Sequence, residues 1–190
     1  MGSILTFTGV SGVGKTTLAR GFLAVDSRAS LFESTTTRSQ RLSDLPGEYR
    51  YLAADEFAEL ETQGGFLWTA KYGDTRYGAL RISLDRIIDA PHKIGVMILT
   101  PSGVDDLRRH LESIGKLALH VPVFVTEPSR EELLQRLIER GESRESIAER
   151  LEVSSTWESD ARQQTKIRYT FIKNDAAIDV ALGCVTALFA

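Results

Sequence analysis

Gly9-Val10-Ser11-Gly12-Val13-Gly14-Lys15-Thr16 decides how the rest of this 190-residue chain is read. It fits the pattern of a glycine, four residues, Gly-Lys and a hydroxyl side chain. Glycines so placed permit positive φ and turn successive main-chain N–H groups toward one point, where they converge on phosphate oxygens. The β-rich run Ile4-Leu5-Thr6-Phe7-Thr8 precedes the loop, and Lys15 to Val25 reads as a helix with Leu18, Phe22 and Leu23 on one face. A strand entering and a helix leaving is the context such a loop requires, and the helix brings its positive dipole end to the phosphates. Lys15 can reach the β- and γ-phosphates of a nucleotide, and the Thr16 hydroxyl can ligate Mg2+. The expected nucleotide-binding residues are therefore Gly9, Ser11, Gly12, Val13, Gly14, Lys15, Thr16 and Thr17, with Thr16 the expected metal ligand.

Outward from the loop, strands and helices alternate. Ile94 to Leu99 is fully apolar, as a strand covered on both faces should be. A helix is expected from Ser102 to about Ile114, and a strand around Val121 to Val125. Ser129 and Glu132 fit a capping box that opens a helix running to Gly141. A further helix follows Ser146, Tyr169 to Ile172 reads as a strand, and Ala177 to Phe189 as the last helix. Such alternation implies right-handed βαβ units, hence an α/β fold with a parallel sheet flanked by helices. Residues 34–53 read as loop, Phe57 and Leu60 as one face of a helix ending at Gly64-Gly65, Phe66-Leu67-Trp68 as a strand, and Tyr77-Gly78 as loop again.

Composition narrows the function classes. With 23 Lys plus Arg against 26 Asp plus Glu, the formal charge is −3, which argues against a broad cationic face for nucleic acid or anionic lipid. Cys184 is the single cysteine, and no apolar run approaches the ~18 residues of a membrane helix. His92, His110 and His120 show no metal-ligand spacing. The expectation is a cytoplasmic protein, monomer or homodimer, that acts on a small molecule and engages neither nucleic acid nor membrane.

The phosphate loop alone does not separate GTPase, ATPase and kinase. An Asn-Lys-x-Asp base reader is absent, and Asp44-Leu45-Pro46-Gly47 only mimics the Asp-x-x-Gly of a GTPase switch. A kinase needs a second anion site, and Arg38 and Arg41, three residues apart with Tyr49 close behind, offer one: guanidinium forks bind phosphate bidentately and a phenol adds a donor. On position alone these arginines read more readily as solvated surface residues.

The order of the phosphate loop, Ser34-Thr35-Thr36-Thr37-Arg38-x-x-Arg41, Tyr49-Arg50-Tyr51, Asp55-Glu56-Phe57, Gly65-Phe66-Leu67, Tyr77-Gly78, Arg140-Gly141, Arg150-Leu151 and Asn174-Asp175 resembles guanylate kinase over nearly the whole chain. The resemblance implies a P-loop NTPase core (residues 1–33 and 80–190), an inserted acceptor-binding subdomain at 34–79 and a short helical lid at about 136–150, all within one domain. It implies ATP and Mg2+ as cofactors and transfer of the γ-phosphoryl group to a phosphate monoester, by family default GMP or dGMP. Arg38, Arg41, Tyr49 and Tyr77 would hold the acceptor phosphate, with Ser34 and Trp68 also lining the acceptor site. Arg136, Arg140 and Arg150 would clamp the moving group, and Asn174 would lie near the adenine. Lys15, Arg38, Arg140 and Arg150 are the expected catalytic residues.

The departures concern the base. Where the family reads guanine with a glutamate after Phe-Leu, a hydroxyl after Tyr-Gly and an aspartate after the middle strand, this chain has Trp68, Ala79 and Thr100; only Ser34 persists. The strand-end acidic residue that helps place Mg2+ is also missing, and Asp44 stands where the family has a loop glutamate. Trp68 is readable as a base-stacking residue, a cap on the acceptor pocket or simply core. Two other functions stay open on sequence: a sugar-phosphate kinase similar to ribose 1,5-bisphosphate phosphokinase, and a guanylate kinase-like binding module without catalysis.

Overall fold

A computed structural model describes the chain except residues 42, 43, 45, 46, 140, 142 and 175–177 and the side chains of residues 72, 146 and 150. Five strands, β1 (Ser3–Thr8), β2 (Ala29–Leu31), β7 (Ile94–Ile98), β8 (His120–Thr126) and β9 (Thr170–Lys173), form a sheet in the order β2-β7-β1-β8-β9. β2 with β7 and β8 with β9 are parallel. A second sheet, β4-β3-β6-β5, contains β3 (Ser34–Thr36), β4 (Tyr49–Tyr51), β5 (Phe66–Tyr72) and β6 (Thr75–Leu80). By contact density the chain divides into two compact units: one of Met1–Ile4, Arg28–Val96 and Asp106–His120, the other of Leu5–Ser27, Met97–Asp105 and Val121–Ala190.

The second of these units carries the glycine-rich loop. β1 has no polar/apolar alternation to speak of: Ile4, Leu5 and Phe7 are buried, and so are Thr6 and Thr8, as in a strand covered on both faces. Helix α1 (Lys15–Val25) buries Leu18, Ala19 and Phe22. Its outer side receives α8 (Ile178–Ala187), with Leu182 close to Gly21 and Phe189 5.4 Å from Phe22 between ring centroids. Helix α5 (Arg130–Glu139) opens with half of the expected capping box: the Glu132 N–H donates to Ser129 Oγ at 3.2 Å, but the Glu132 carboxylate pairs with Arg136. Helix α6 (Arg144–Val153) starts two residues before Ser146, and α7 (Trp157–Gln163) is not foreshadowed by the sequence pattern. The start of the last helix at Ala177 lies outside the described residues.

The other unit departs further from expectation. Residues 34–53 hold two strands rather than loop alone, and Tyr77-Gly78 lies within β6. β3 pairs with β4 in parallel (Ser34 with Tyr49, Thr36 with Tyr51) and with β6 antiparallel (Thr36 with Tyr77, Thr35 with Gly78). Strands of three residues are too short to display a period of two, so nothing marks them in the sequence. β5 and β6 form a hairpin with Gly73 at φ +57° in its two-residue turn. One face of this sheet is closed by α2 (Ala54–Thr62), whose Phe57 stacks on Phe66 at 4.4 Å beside Leu80, Leu52 and Leu60. Gly78 is obligatory there, since a Cβ would lie 2.6 Å from the Phe66 ring. Helices α3 (Arg81–Ile88) and α4 (Pro101–Ser113) follow β6 and β7 in sequence. No helix among the described residues is long and apolar enough to cross a membrane.

Candidate functional site

Gly9, Gly12 and Gly14 adopt φ of +142°, +88° and +96°, and each is pinned by close neighbours. A Cβ on Gly9 would stand 2.3 Å from the Val125 carbonyl oxygen, on Gly12 2.9 Å from Leu133 Cδ1, and on Gly14 2.2 Å from Asn174 Nδ2. These positive φ values, in a loop that ends at a helix N-terminus, form the backbone of an anion cradle. Val10 and Val13 are fully buried and anchor the loop, while Ser11, Lys15 and Thr16 are half-buried and Thr17 is exposed. The Lys15 ammonium donates to the carbonyl oxygens of Gly9 at 2.8 Å and Val10 at 2.7 Å, so its charge is held over the loop.

Asn174 and Arg136 join this assembly. The Asn174 side-chain Nδ2 donates to the Val13 carbonyl at 2.8 Å, and the Asn174 main-chain carbonyl accepts from Arg136 Nη2 at 3.1 Å. The expected nucleotide residues are thus brought together. Arg140 lies outside the described residues, Arg150 is in α6 with its side chain outside them, and Arg144 is exposed.

The donor chemistry fits a nucleotide triphosphate with Mg2+. A helix-terminal loop with a lysine suits polyphosphate. Mg2+ keeps most of its ligands as water and phosphate oxygen, so one protein hydroxyl, Thr16, is a sufficient contribution. No group of three or more His, Cys, Asp or Glu suited to a metal occurs among the described residues. Thr100, at the strand end that lacks a carboxylate, is occupied locally with Ser102 and the Gly103 N–H.

Because Gly14 sits at φ +96° against Asn174, Gly14→Ala is expected to lower stability by ~1–3 kcal/mol through strain and to weaken ATP binding by an order of magnitude or more. Gly183→Ala is the contrast: an added methyl in α8 meets nothing within 4 Å, so stabilisation by ~0.5–1 kcal/mol is expected. Thermal melts of both variants, with ATP titration of the first, check the pair.

The residues expected to hold an acceptor lie in the other unit. Arg38 leaves β3 with its N–H on Thr36 Oγ1, and its guanidinium forks onto Asp44, Nη1 to Oδ2 and Nη2 to Oδ1, both at 2.7 Å. Asp44 also accepts from the Arg41 N–H and the Tyr51 hydroxyl, each at 2.7 Å. Both side chains of this ion pair are about nine-tenths buried or more. The guanidinium lies 4.6 Å over the Tyr49 ring, and the Tyr49 and Tyr77 rings are 6.2 Å apart, edge to face. Arg38 holds the Asp44 carboxyl well below the usual carboxylate range, with the Arg41 N–H and Tyr51 hydroxyl adding to it. Burial pushes the Tyr49 phenol up to about 12, and the Tyr51 phenol also rises through burial and its bond to Asp44. Both phenols therefore stay protonated donors at neutral pH.

Arg38, Tyr49 and Tyr77 thus come together, whereas Arg41 contributes its main-chain N–H and its side chain is exposed. Asp44 belongs to this cluster as the orienter of Arg38. Tyr51 belongs to it too, although the sequence reading does not include it; its place two residues from Tyr49, on the same strand face, is the available signal. The Nε–H of Arg38 is buried with no hydrogen-bond partner among the described residues. That orphan donor, beside two phenols, suits an anion.

The chain is similar to known proteins along nearly its whole length. A protein-family model described as guanylate kinase matches residues 2–189. A guanylate kinase of Trichormus variabilis is 33% identical, the match covering 95% of this chain and 89% of that protein. One of Alkalilimnicola ehrlichii is 27% identical over 99% and 88%. The crystal structure of guanylate kinase from Anaplasma phagocytophilum superposes with a TM-score of 0.71 at 21% identity, covering 99% of this chain and 84% of that one, which shows the shared fold. The chain belongs to the guanylate kinase family, a family of P-loop kinases.

Proposed function

We propose that this protein transfers the γ-phosphoryl group of ATP to the phosphate oxygen of a small phosphate monoester. The observation that carries the reading is the buried Arg38 Nε–H, without a partner among the described residues, beside the Tyr49 ring and its neighbour Tyr77, a donor set that suits an anion. In the reaction an acceptor phosphate oxygen attacks Pγ, the bond from Pγ to the β,γ-bridging oxygen breaks, and ADP leaves. Little covalent chemistry falls to the protein, whose contribution is positioning and charge stabilisation.

Each residue then has a task. The loop amides of residues 9–17 hold the β- and γ-phosphates, and Lys15 neutralises charge on them. Bound Mg2+, with Thr16 as its protein ligand, supplies Lewis-acid polarisation of the phosphates. Arg38, Arg41, Tyr49 and Tyr77 hold the acceptor phosphate, with Ser34 and Trp68 beside it. Arg136, Arg140 and Arg150, in the segment at about 136–150, gather around the moving phosphoryl group, and closure of that segment excludes water that would otherwise hydrolyse ATP. Asn174, bonded to the loop carbonyl of Val13, lines the nucleotide site.

The family match does not favour the sugar-phosphate kinase or the binding module over this reading. The test is ADP formation with ATP and Mg2+ across a panel of nucleoside monophosphates and pentose phosphates. ADP should form only when a phosphate monoester is present. Because the residues that would read guanine are replaced, GMP should serve no better than AMP, and a marked GMP preference would overturn that part of the reading. ADP formation at the same rate without any acceptor would overturn the whole.

A further inference from the structure

The register of β5 on β6 shifts between Phe66 and Trp68: Phe66 pairs with Leu80 and Trp68 with Ala79. In a regular strand, residues two apart share a face. Here their partners are adjacent residues and so face opposite ways, which makes the irregularity a device that re-aims a side chain. Phe66 goes into the α2 core against Phe57, and Trp68 goes to the other face. Alternation along the paired strands puts Ser34, Thr36, Tyr49, Tyr51, Tyr77 and Ala79 on that same face.

Trp68 is therefore not part of the α2 core, and its indole N–H is buried with no hydrogen-bond partner among the described residues. An orphan N–H of this kind carries the full cost of a lost hydrogen bond unless something receives it. Its cross-strand partner, Ala79, is fully buried and carries no polar side-chain atom. None of the described strand residues on this face bears a carboxylate, and Asp44 is taken up by Arg38. The polar groups that the strands carry on this face are thus hydroxyls and an indole N–H.

We propose that Trp68, opposite Ala79, is the specificity-determining residue of the acceptor site and selects a phosphate monoester that turns an oxygen acceptor toward the indole N–H. The proposal rests on the acceptor reading above. Two sources offer that oxygen, a pyrimidine carbonyl and a sugar hydroxyl. Guanine also has an oxygen, O6, but brings N1–H and N2–H2 donors, more than the N3–H of uracil or the N4–H2 of cytosine, to a face with no carboxylate to receive them, and burying unpaired donors is the strong form of discrimination.

The experiment uses the full chain carrying Trp157→Phe, so that Trp68 is the only indole. Emission is titrated with UMP, CMP, ribose 5-phosphate and GMP, and each is assayed for ADP formation. UMP and CMP binding ahead of ribose 5-phosphate identifies the carbonyl source, and the reverse order the hydroxyl source; either should exceed GMP by tenfold or more. Trp68→Phe, which keeps an aromatic ring and removes the donor, should raise the KM of the preferred acceptor about five- to tenfold, the size of one hydrogen bond, with kcat little changed. Trp68→Glu, which supplies a carboxylate, should shift the ranking toward GMP. GMP binding as well as the others, or a ranking unmoved in both variants, would overturn the proposal. Acceptors that bind in this order without turnover would instead sink the kinase reading and leave the selectivity standing.

Discussion

Lys15→Ala should reduce phosphoryl transfer by about 10³-fold or more while the protein stays folded. Removing a single preorganised donor from developing charge already costs ~10²–10³, and an ammonium adds a full charge to that. The side chain is placed for this task because its ammonium donates to the carbonyl oxygens of Gly9 and Val10, in its own loop. The fold should survive because α1 is held by Leu18, Ala19 and Phe22, all on its buried side. Circular dichroism, a thermal melt and the ADP assay together decide the matter. Transfer within tenfold of the parent in a folded variant would remove Lys15 from the mechanism.

Arg38→Ala should lower kcat/KM for the acceptor by ~10²–10³-fold, the range for losing a buried charge-stabilising donor, with the KM for ATP changed less than about twofold. The asymmetry follows from the side chain's surroundings, which are Asp44, Tyr49 and Tyr77. Arg38→Lys should recover little, because an ammonium cannot reproduce a planar fork gripped at two oxygens. The same pair has a pH signature. Asp44's carboxyl is depressed in the folded protein, so its contribution to stability is present above the unfolded value of ~3.9 and is lost as pH falls through the lower folded value. The stability difference between the parent and Asp44→Asn should therefore hold steady at neutral pH and shrink below about pH 4. Denaturant titrations across that range read it directly; a difference that grows on acidification would show that Asp44 is not held ionised by Arg38.

The phosphate loop was legible because its chemistry is local. Glycines, a lysine and a hydroxyl at fixed spacing between a strand and a helix specify one geometry, and residues 9–17 adopt it. The four-stranded sheet was not legible as a sheet. Ser34-Thr35-Thr36 and Tyr49-Arg50-Tyr51 are each one short strand whose partners lie a dozen or more residues away, so pairing and not propensity makes them strands. Asp44 was visible as a residue, but no local pattern announces its bonds to Arg38. Trp68 shows the same limit at a single side chain: pattern puts it on the face of Phe66, and only the register shift moves it to the tyrosines.

The most direct measurement is the 31P NMR spectrum of a completed reaction with ATP, Mg2+ and the best acceptor of the panel. Transfer to a phosphate oxygen should replace the acceptor's monoester singlet with the coupled doublets of a new phosphoanhydride, in equal amount to the ADP formed. A second monoester singlet would mean that a hydroxyl received the phosphoryl group, and inorganic phosphate alone would mean that water did; either would contradict phosphate-to-phosphate transfer.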